Sequence, residues 1–172
     1  MGNPDQPDQP DRAACARAWQ TLRLAHDRVA KRLGAALSRE CALAINEFDV
    51  LLYLRSHPEE PVRVSALQAA VPLSQPALSR LVARLAARHL LSRAEAADDG
   101  RATVVRLTEA GAALLDRAIA VHAATVHESL TGRFSPAEQA ALLRTLGRIG
   151  GEPPAVPSPP NAGPSPVPAG TA

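Results

Sequence analysis

Pro72 and Pro76 stand four residues apart in the stretch "AAVPLSQPALSRLVARL", residues 69–85, and each limits where a helix can run. Proline has no backbone N–H and its ring collides with the preceding turn, so Pro72 ends the short helix "ALQAAV", for which Ser65 is the expected cap. A proline is tolerated in the first turn of a helix, where the missing N–H has no intrahelical acceptor to lose. A second helix therefore starts with Ser74 as its N-cap and with Gln75 and Pro76 in its first turn. Two helices that meet across three or four residues have the spacing of a helix-turn-helix.

Winding residues 75–88 as a helix puts Leu78, Leu81, Val82 and Leu85 on one side, the side that faces a core. Pro76, Ser79, Arg80, Ala83 and Ala87 fall opposite, with Gln75 and Arg84 at the margins. This outer face is short-chained, hydroxylic and basic. One reading is a plain solvated surface, since arginines four apart are common on exposed helices. The other is a DNA reader, because the major groove admits a single helix and offers acceptors to arginine and mixed partners to glutamine and serine. On that reading Gln75, Ser79 and Arg80 reach base edges, Pro76 and Ala77 pack on thymine methyls, and Arg84 lies at the margin. The free N–H groups at the Ser74 cap point where a phosphate would sit.

The rest of the chain supplies a frame for this pair. Residues 13–39 keep Ala18, Leu22, Ala25, Val29, Leu33 and Leu37 at helical spacing, and a second helix runs from Ile45 to Ser56 until His57-Pro58 stops it. "EEPVRV" adds a short extended piece. After Leu90 the pattern changes: "LLSRAE" and "TVVRLT" are strand-like and bracket "AADDGRA", whose Asp99-Gly100 pair suits a hairpin with a polar tip. Thr108 caps the next helix, striped by Leu114, Leu115, Ile119, Val121 and Val126, and Ser135 with Glu138 makes a capping box for the last, with Pro136 at its first position. The expected class is mainly α with a small β-hairpin wing: a winged helix-turn-helix over residues 45–108, flanked by helical regions at 13–44 and 109–151. The wing favours the DNA reading, since its tip carries Arg101 to the flanking minor groove. Between Ser74 and Arg106 six arginines face only Glu95, Asp98 and Asp99.

Residues 1–12 hold three prolines, and 152–172 hold eight with two valines as the large apolar residues, so both ends are expected to be disordered tails. Setting aside Asp5, Asp8, Asp11, Glu152 and Arg12 from 17 acidic and 19 basic residues leaves 13 and 18, a net charge of +5 on the central region. Of the basic residues only Lys31 is not arginine, and the forked guanidinium suits phosphate. No apolar run reaches the ~18 residues of a membrane span and no signal-peptide pattern opens the chain, so the expectation is a cytoplasmic protein without membrane contact. No nucleophile elbow, P-loop, dinucleotide fingerprint or metal-ligand set appears, which argues against an enzyme and calls for no cofactor or metal.

Residues 73–111, "LSQPALSRLVARLAARHLLSRAEAADDGRATVVRLTEAG", resemble the MarR-type winged-helix regulators, and the resemblance extends over about residues 15–149. That family carries Asp-x-Arg in the wing, matched by Asp99 and Arg101, and Leu-Thr-x-x-Gly after it, matched by Leu107, Thr108 and Gly111. The resemblance implies a homodimer joined by the first and last two helices, set on double-stranded DNA at a pseudopalindromic operator with half-sites ~34–36 Å apart. It implies a regulator, by family tendency a repressor, with Asp99 stabilising the wing. It further implies release by a small-molecule or other signal. Two positions depart from the pattern: His89 replaces the glycine that follows the recognition helix, and Gly100 replaces an additional wing arginine.

The signal is open at this stage. Many relatives bind a small aromatic or phenolic ligand in a crevice between the dimer helices and the DNA-binding lobe, where Trp19, Phe48 and Tyr53 are the aromatics this chain offers. Some sense peroxide through a first-helix cysteine, for which Cys15 is the candidate, although it falls about a turn early; an incidental thiol is the alternative. His122 and His127 lie five apart and read as surface histidines. A winged-helix module for protein association, with a proline-rich extension, is the rival class.

Overall fold

The structure is a computed structural model that describes residues 11–96 and 99–150, with residues 70 and 99–101 described by their backbone alone. Helix α1 spans Arg12–Cys41, α2 Ile45–Arg55, α3 Val64–Ala70, α4 Gln75–Ala87, α5 Glu109–Ser129 and α6 Pro136–Gly150, with a 3-10 turn at Thr131–Arg133 before α6. Strands β1 (Val62–Arg63), β2 (Leu91–Ala96) and β3 (Asp99–Leu107) form an antiparallel sheet in the order β1-β3-β2. The expected mainly helical fold with a hairpin wing is the one observed, and the extended piece before α3 is the third strand. No helix among the described residues is long and apolar enough to cross a membrane.

Several boundaries differ from the sequence reading for local reasons. α1 begins at Arg12, because the Asp11 carboxylate accepts the Ala13 N–H at 2.9 Å and caps it, so both residues leave the expected tail. The remaining tail residues, 1–10 and 151–172, lie outside those described. α3 begins at Val64 with extended Arg63 as its N-cap, so Ser65 lies inside the first turn. β3 already begins at Asp99, with Ala96 paired to Asp99 after a register break at Glu95, so the Asp99-Gly100 pair belongs to the strand. The capping box of α6 forms as expected: Ser135 N–H donates to the Glu138 carboxylate at 2.8 Å, and the bonds from Ser135 hold that carboxyl below its usual range.

The helix-turn-helix, wing and α5 converge on a few backbone atoms. His89 takes the left-handed conformation with φ 57°, so the turn that glycine serves in the family is made here by histidine. The Leu90 N–H then donates to Leu85 O at 3.0 Å, closing α4, and β2 begins. On the other strand, Thr108 donates its N–H to Leu90 O at 3.2 Å and its hydroxyl to His89 O at 2.7 Å, while the same hydroxyl accepts the Gly111 N–H at 3.0 Å and caps α5. A Cβ on Gly111 would lie 1.9 Å from Leu90 O, so only glycine allows this approach.

One core runs through the molecule. Leu78, Leu81, Val82 and Leu85 of α4 are all buried, as the helical phase requires, and meet Leu37, Phe48, Leu51, Leu67, Val105 and Leu115. α2 lies at its centre, tied to α5 by a Phe48–His122 ring stack with centroids 5.1 Å apart and by Arg55, which donates to Asp116 at 2.7 and 2.5 Å. His122 is thus a packed residue and not the surface histidine its spacing suggested. In contrast, the first half of α1 is exposed, since Ala18, Leu22 and Ala25 of its stripe find no core within the chain, and α6 buries no residue.

Two outcomes follow. Gly111→Ala should cost about 1–3 kcal/mol, the range for forcing an extra group into a packed site, seen as a lower denaturant midpoint; an unchanged midpoint would mean the junction yields freely. Burial pushes the His122 pKa below its usual 6.5. The unfolded chain therefore takes up a proton as pH falls through about 6.5 while the folded chain does not, and stability falls with acidification in that window. His122→Phe keeps the stack and removes the titration, so its Tm should fall less than that of the wild type between about pH 7.5 and pH 5.5; equal losses would contradict this.

Candidate nucleic-acid interface

The N-terminal half of α4 is presented to solvent. Ser74, Gln75, Pro76, Ser79 and Arg80 are exposed and Ala77 is half-buried. Four residues, 71–74, separate α3 from α4, and Leu73, packed against the core, draws the turn inward. Ser74 has the extended conformation of an N-cap (φ −67°, ψ 152°), but its hydroxyl makes no capping bond, in contrast to the sequence expectation. The first N–H groups of α4 are therefore left without that side-chain acceptor, which is where a phosphate oxygen would be received. Arg80 takes part in no ion pair among the described residues, so its guanidinium is available to an external acceptor.

Arg84 has an internal partner that the sequence reading did not give it. Although exposed, it directs Nε to Glu47 Oε1 at 3.4 Å, while Arg88, one turn later, directs Nη1 to Glu47 Oε2 at 3.4 Å. Glu47, 6 % exposed, also accepts the Ala44 N–H at 3.0 Å at the start of α2. A carboxylate taken out of water needs such partners, and all three are supplied by α4 and the residues that cap α2 and α4. Arg84 is thus engaged within the fold.

The structure adds residues that pattern reading missed. Gln75 and Ser79 open on a cleft of about 300 Å³ shared with Ser65 and Gln68 of α3, Arg63 of β1 and Arg93 of β2. Ser65 and Gln68 stand three apart on one helix face, and Arg93 is exposed on the wing strand, so the signal was present but short. Asp99 and Arg101 fall within β3, and their side chains lie outside those described.

The residues considered for a signal are dispersed within one chain. Phe48 is buried in the core, Tyr53 stacks on His57 with centroids 4.3 Å apart, and Trp19 is 65 % exposed on α1. Cys15 is exposed, whereas Cys41 is buried and its thiol pKa is raised by burial, which makes it a poor nucleophile. Among the described residues no group of three or more His, Cys, Asp or Glu side chains is placed to hold a metal ion. A larger cavity of about 740 Å³ lies between α1 and the end of α5, with Arg28, Lys31, Arg32 and Arg133 around apolar Ala25, Val29, Ala35 and Leu130.

A short turn between α3 and α4, an outward α4 face with an unpaired arginine, and an antiparallel hairpin directly after it define a winged helix-turn-helix protein. Residues 43–102 match the model of the MarR family. The HTH-type transcriptional repressor NicR of Pseudomonas putida is 34% identical over 103 residues, which cover 60% of this chain and 63% of that relative's length. Sco3205, a MarR family transcriptional regulator from Streptomyces coelicolor solved in complex with DNA, has the same fold with a TM-score of 0.73 at 23% identity, over 84% of this chain and 90% of that one. Bordetella bronchiseptica BpsR, whose DNA binding is regulated by 6-hydroxynicotinic acid, aligns with a TM-score of 0.66 at 24% identity, over 77% of this chain and 98% of its own.

Proposed function

We propose that this chain is a sequence-specific DNA-binding transcriptional regulator that acts as a homodimeric repressor. The observation that carries the proposal is the exposed start of α4, where Gln75, Ser79 and Arg80 stand beside helix N–H groups that no Ser74 side chain satisfies. Base-reading and phosphate-binding groups are thereby combined at one helix end. Arg93 extends the basic surface onto the wing, and Arg101 is assigned to the flanking minor groove.

Dimerisation is supported by the apolar residues left in water. Trp19, Leu22 and Leu24 on α1 and Leu143 and Ile149 on α6 are exposed, the last two by 68 and 76 %. Such side chains, on the exposed first half of α1 and on α6, are the surface a second copy would cover. Residues 12–44 and 109–150 would then form the dimerisation region and 45–108 the DNA-binding lobe.

For the signal we favour a small aromatic or phenolic ligand. BpsR responds to a ligand of this kind, and the cavity between α1 and α5 combines apolar walls with four cations, which suits an aromatic acid. Release requires only that the ligand bind better to a helix spacing that does not fit DNA.

Fluorescence anisotropy with DNA from around the protein's own gene tests the proposal. The wild type should bind one sequence far better than random DNA, with an affinity that falls steeply as salt rises. Arg80→Ala should weaken specific binding by about 1–3 kcal/mol and reduce discrimination at the base it reads. Equal affinity of wild type and variant would remove Arg80 from the interface, and no sequence preference in the wild type would favour a protein-association module.

A further inference from the structure

Glu47 is the buried acidic residue among those described, and its partners are arranged with a consequence for DNA reading. Its two oxygens are divided between guanidiniums one turn apart at the end of α4, Oε1 to Arg84 and Oε2 to Arg88, the C-cap residue, both at 3.4 Å. Its own helix holds it in place, since Oε2 also accepts the Ala44 N–H at 3.0 Å and the carboxylate serves as the N3 residue of α2. The side chain of Glu47 is 8 % exposed, while those of Arg84 and Arg88 are 57 and 36 % exposed. The arginines therefore remain within reach of solvent, and the carboxylate holds them from below.

Three arginines follow one another at spacings of four along α4 and its C-cap, Arg80, Arg84 and Arg88, and left free they would all be drawn to phosphate. Phosphate attraction carries no sequence information and strengthens binding to every DNA alike. An internal carboxylate that occupies two of the three leaves only Arg80, at the end that also carries Gln75 and Ser79, to an external acceptor. The same clamp fixes the rotation of α4 about its axis, because both contacts come from one point on α2.

We propose that Glu47 is a positioning residue for DNA recognition: it withholds Arg84 and Arg88 from the phosphate backbone and so raises discrimination at the expense of general affinity. This inference rests on the reading of α4 as the DNA-reading helix. It assigns Arg84 a role opposite to that of a direct DNA contact, by suppressing an attraction that every competing sequence would share.

The decisive variant is Glu47→Gln in the full chain, since glutamine retains an acceptor for the Ala44 N–H and loses the charge. Its affinity for random-sequence DNA should rise, and the slope of log affinity against log salt should steepen by about one to two, roughly 0.9 for each phosphate newly neutralised. Its preference for the operator over random DNA should narrow about tenfold or more, the order of a single lost discriminating contact. Elution from a heparin column should shift to higher salt, a readout that needs no operator. Adding Arg84→Gln and Arg88→Gln should return slope and elution to wild-type values. A fall in affinity for both DNAs at unchanged slope would reduce Glu47 to a structural role and overturn the proposal, as would unchanged heparin elution. Should Glu47→Gln not fold, Arg84→Gln in the wild-type background decides the matter: an unchanged salt slope supports the clamp and a slope lower by about one overturns it. A wild type without sequence preference would contradict the function proposed above while the heparin comparison still decided the clamp.

Discussion

The approach of Gly111 to the Leu90 carbonyl holds the winged-helix lobe to the helical frame. At that point α4 has just ended through the left-handed His89, β2 begins, β3 returns, and α5 starts under the Thr108 cap. Four elements share about as many residues, and a Cβ on Gly111 would collide with a backbone oxygen that has no rotamer to escape through. The wing, α4 and the long α5 are fixed relative to one another there, so a displacement of α5 is felt by the outward face of α4.

α2 gives the lobe its second attachment. Phe48 and Arg55 join it to α5 through His122 and Asp116, and Glu47 joins it to α4 through two arginines. Charge is distributed accordingly: the interior of the lobe binds its own cations, and the start of α4 leaves Arg80 without an internal partner. The proposed regulation has a physical basis in this arrangement, because a signal bound against α1 or α5 would have two rigid routes to α4 and need no separate relay.

Much of this was legible in the sequence. The phase of α4 was set by four apolar residues, and the prolines on either side of the turn left little choice of helix ends; Leu107, Thr108 and Gly111 then marked the junction through a family resemblance. What escaped were features set by contacts distant in sequence. Glu47 looks like any acid in the first turn of a helix until α4 is laid beside it, which gives the exposed Arg84 an internal partner. His122 gave no periodic signal of its stack on Phe48, because the pair is formed by packing of α2 on α5. The Ser74 hydroxyl could have capped α4 by type and position, and only the geometry shows that it does not. His89 in place of glycine is a case where tertiary contacts, the Leu90 and Thr108 bonds, impose a backbone conformation that local preference disfavours.

The central claim is that the start of α4 enters the major groove and that two copies do so together. Hydroxyl-radical footprinting of the full chain on DNA from around its own gene measures this directly. Two protected segments about one helical turn apart, ~34–36 Å from centre to centre, with flanking minor-groove protection from the wings, are the expected result. A single protected segment, or protection spread evenly along the fragment, would contradict it.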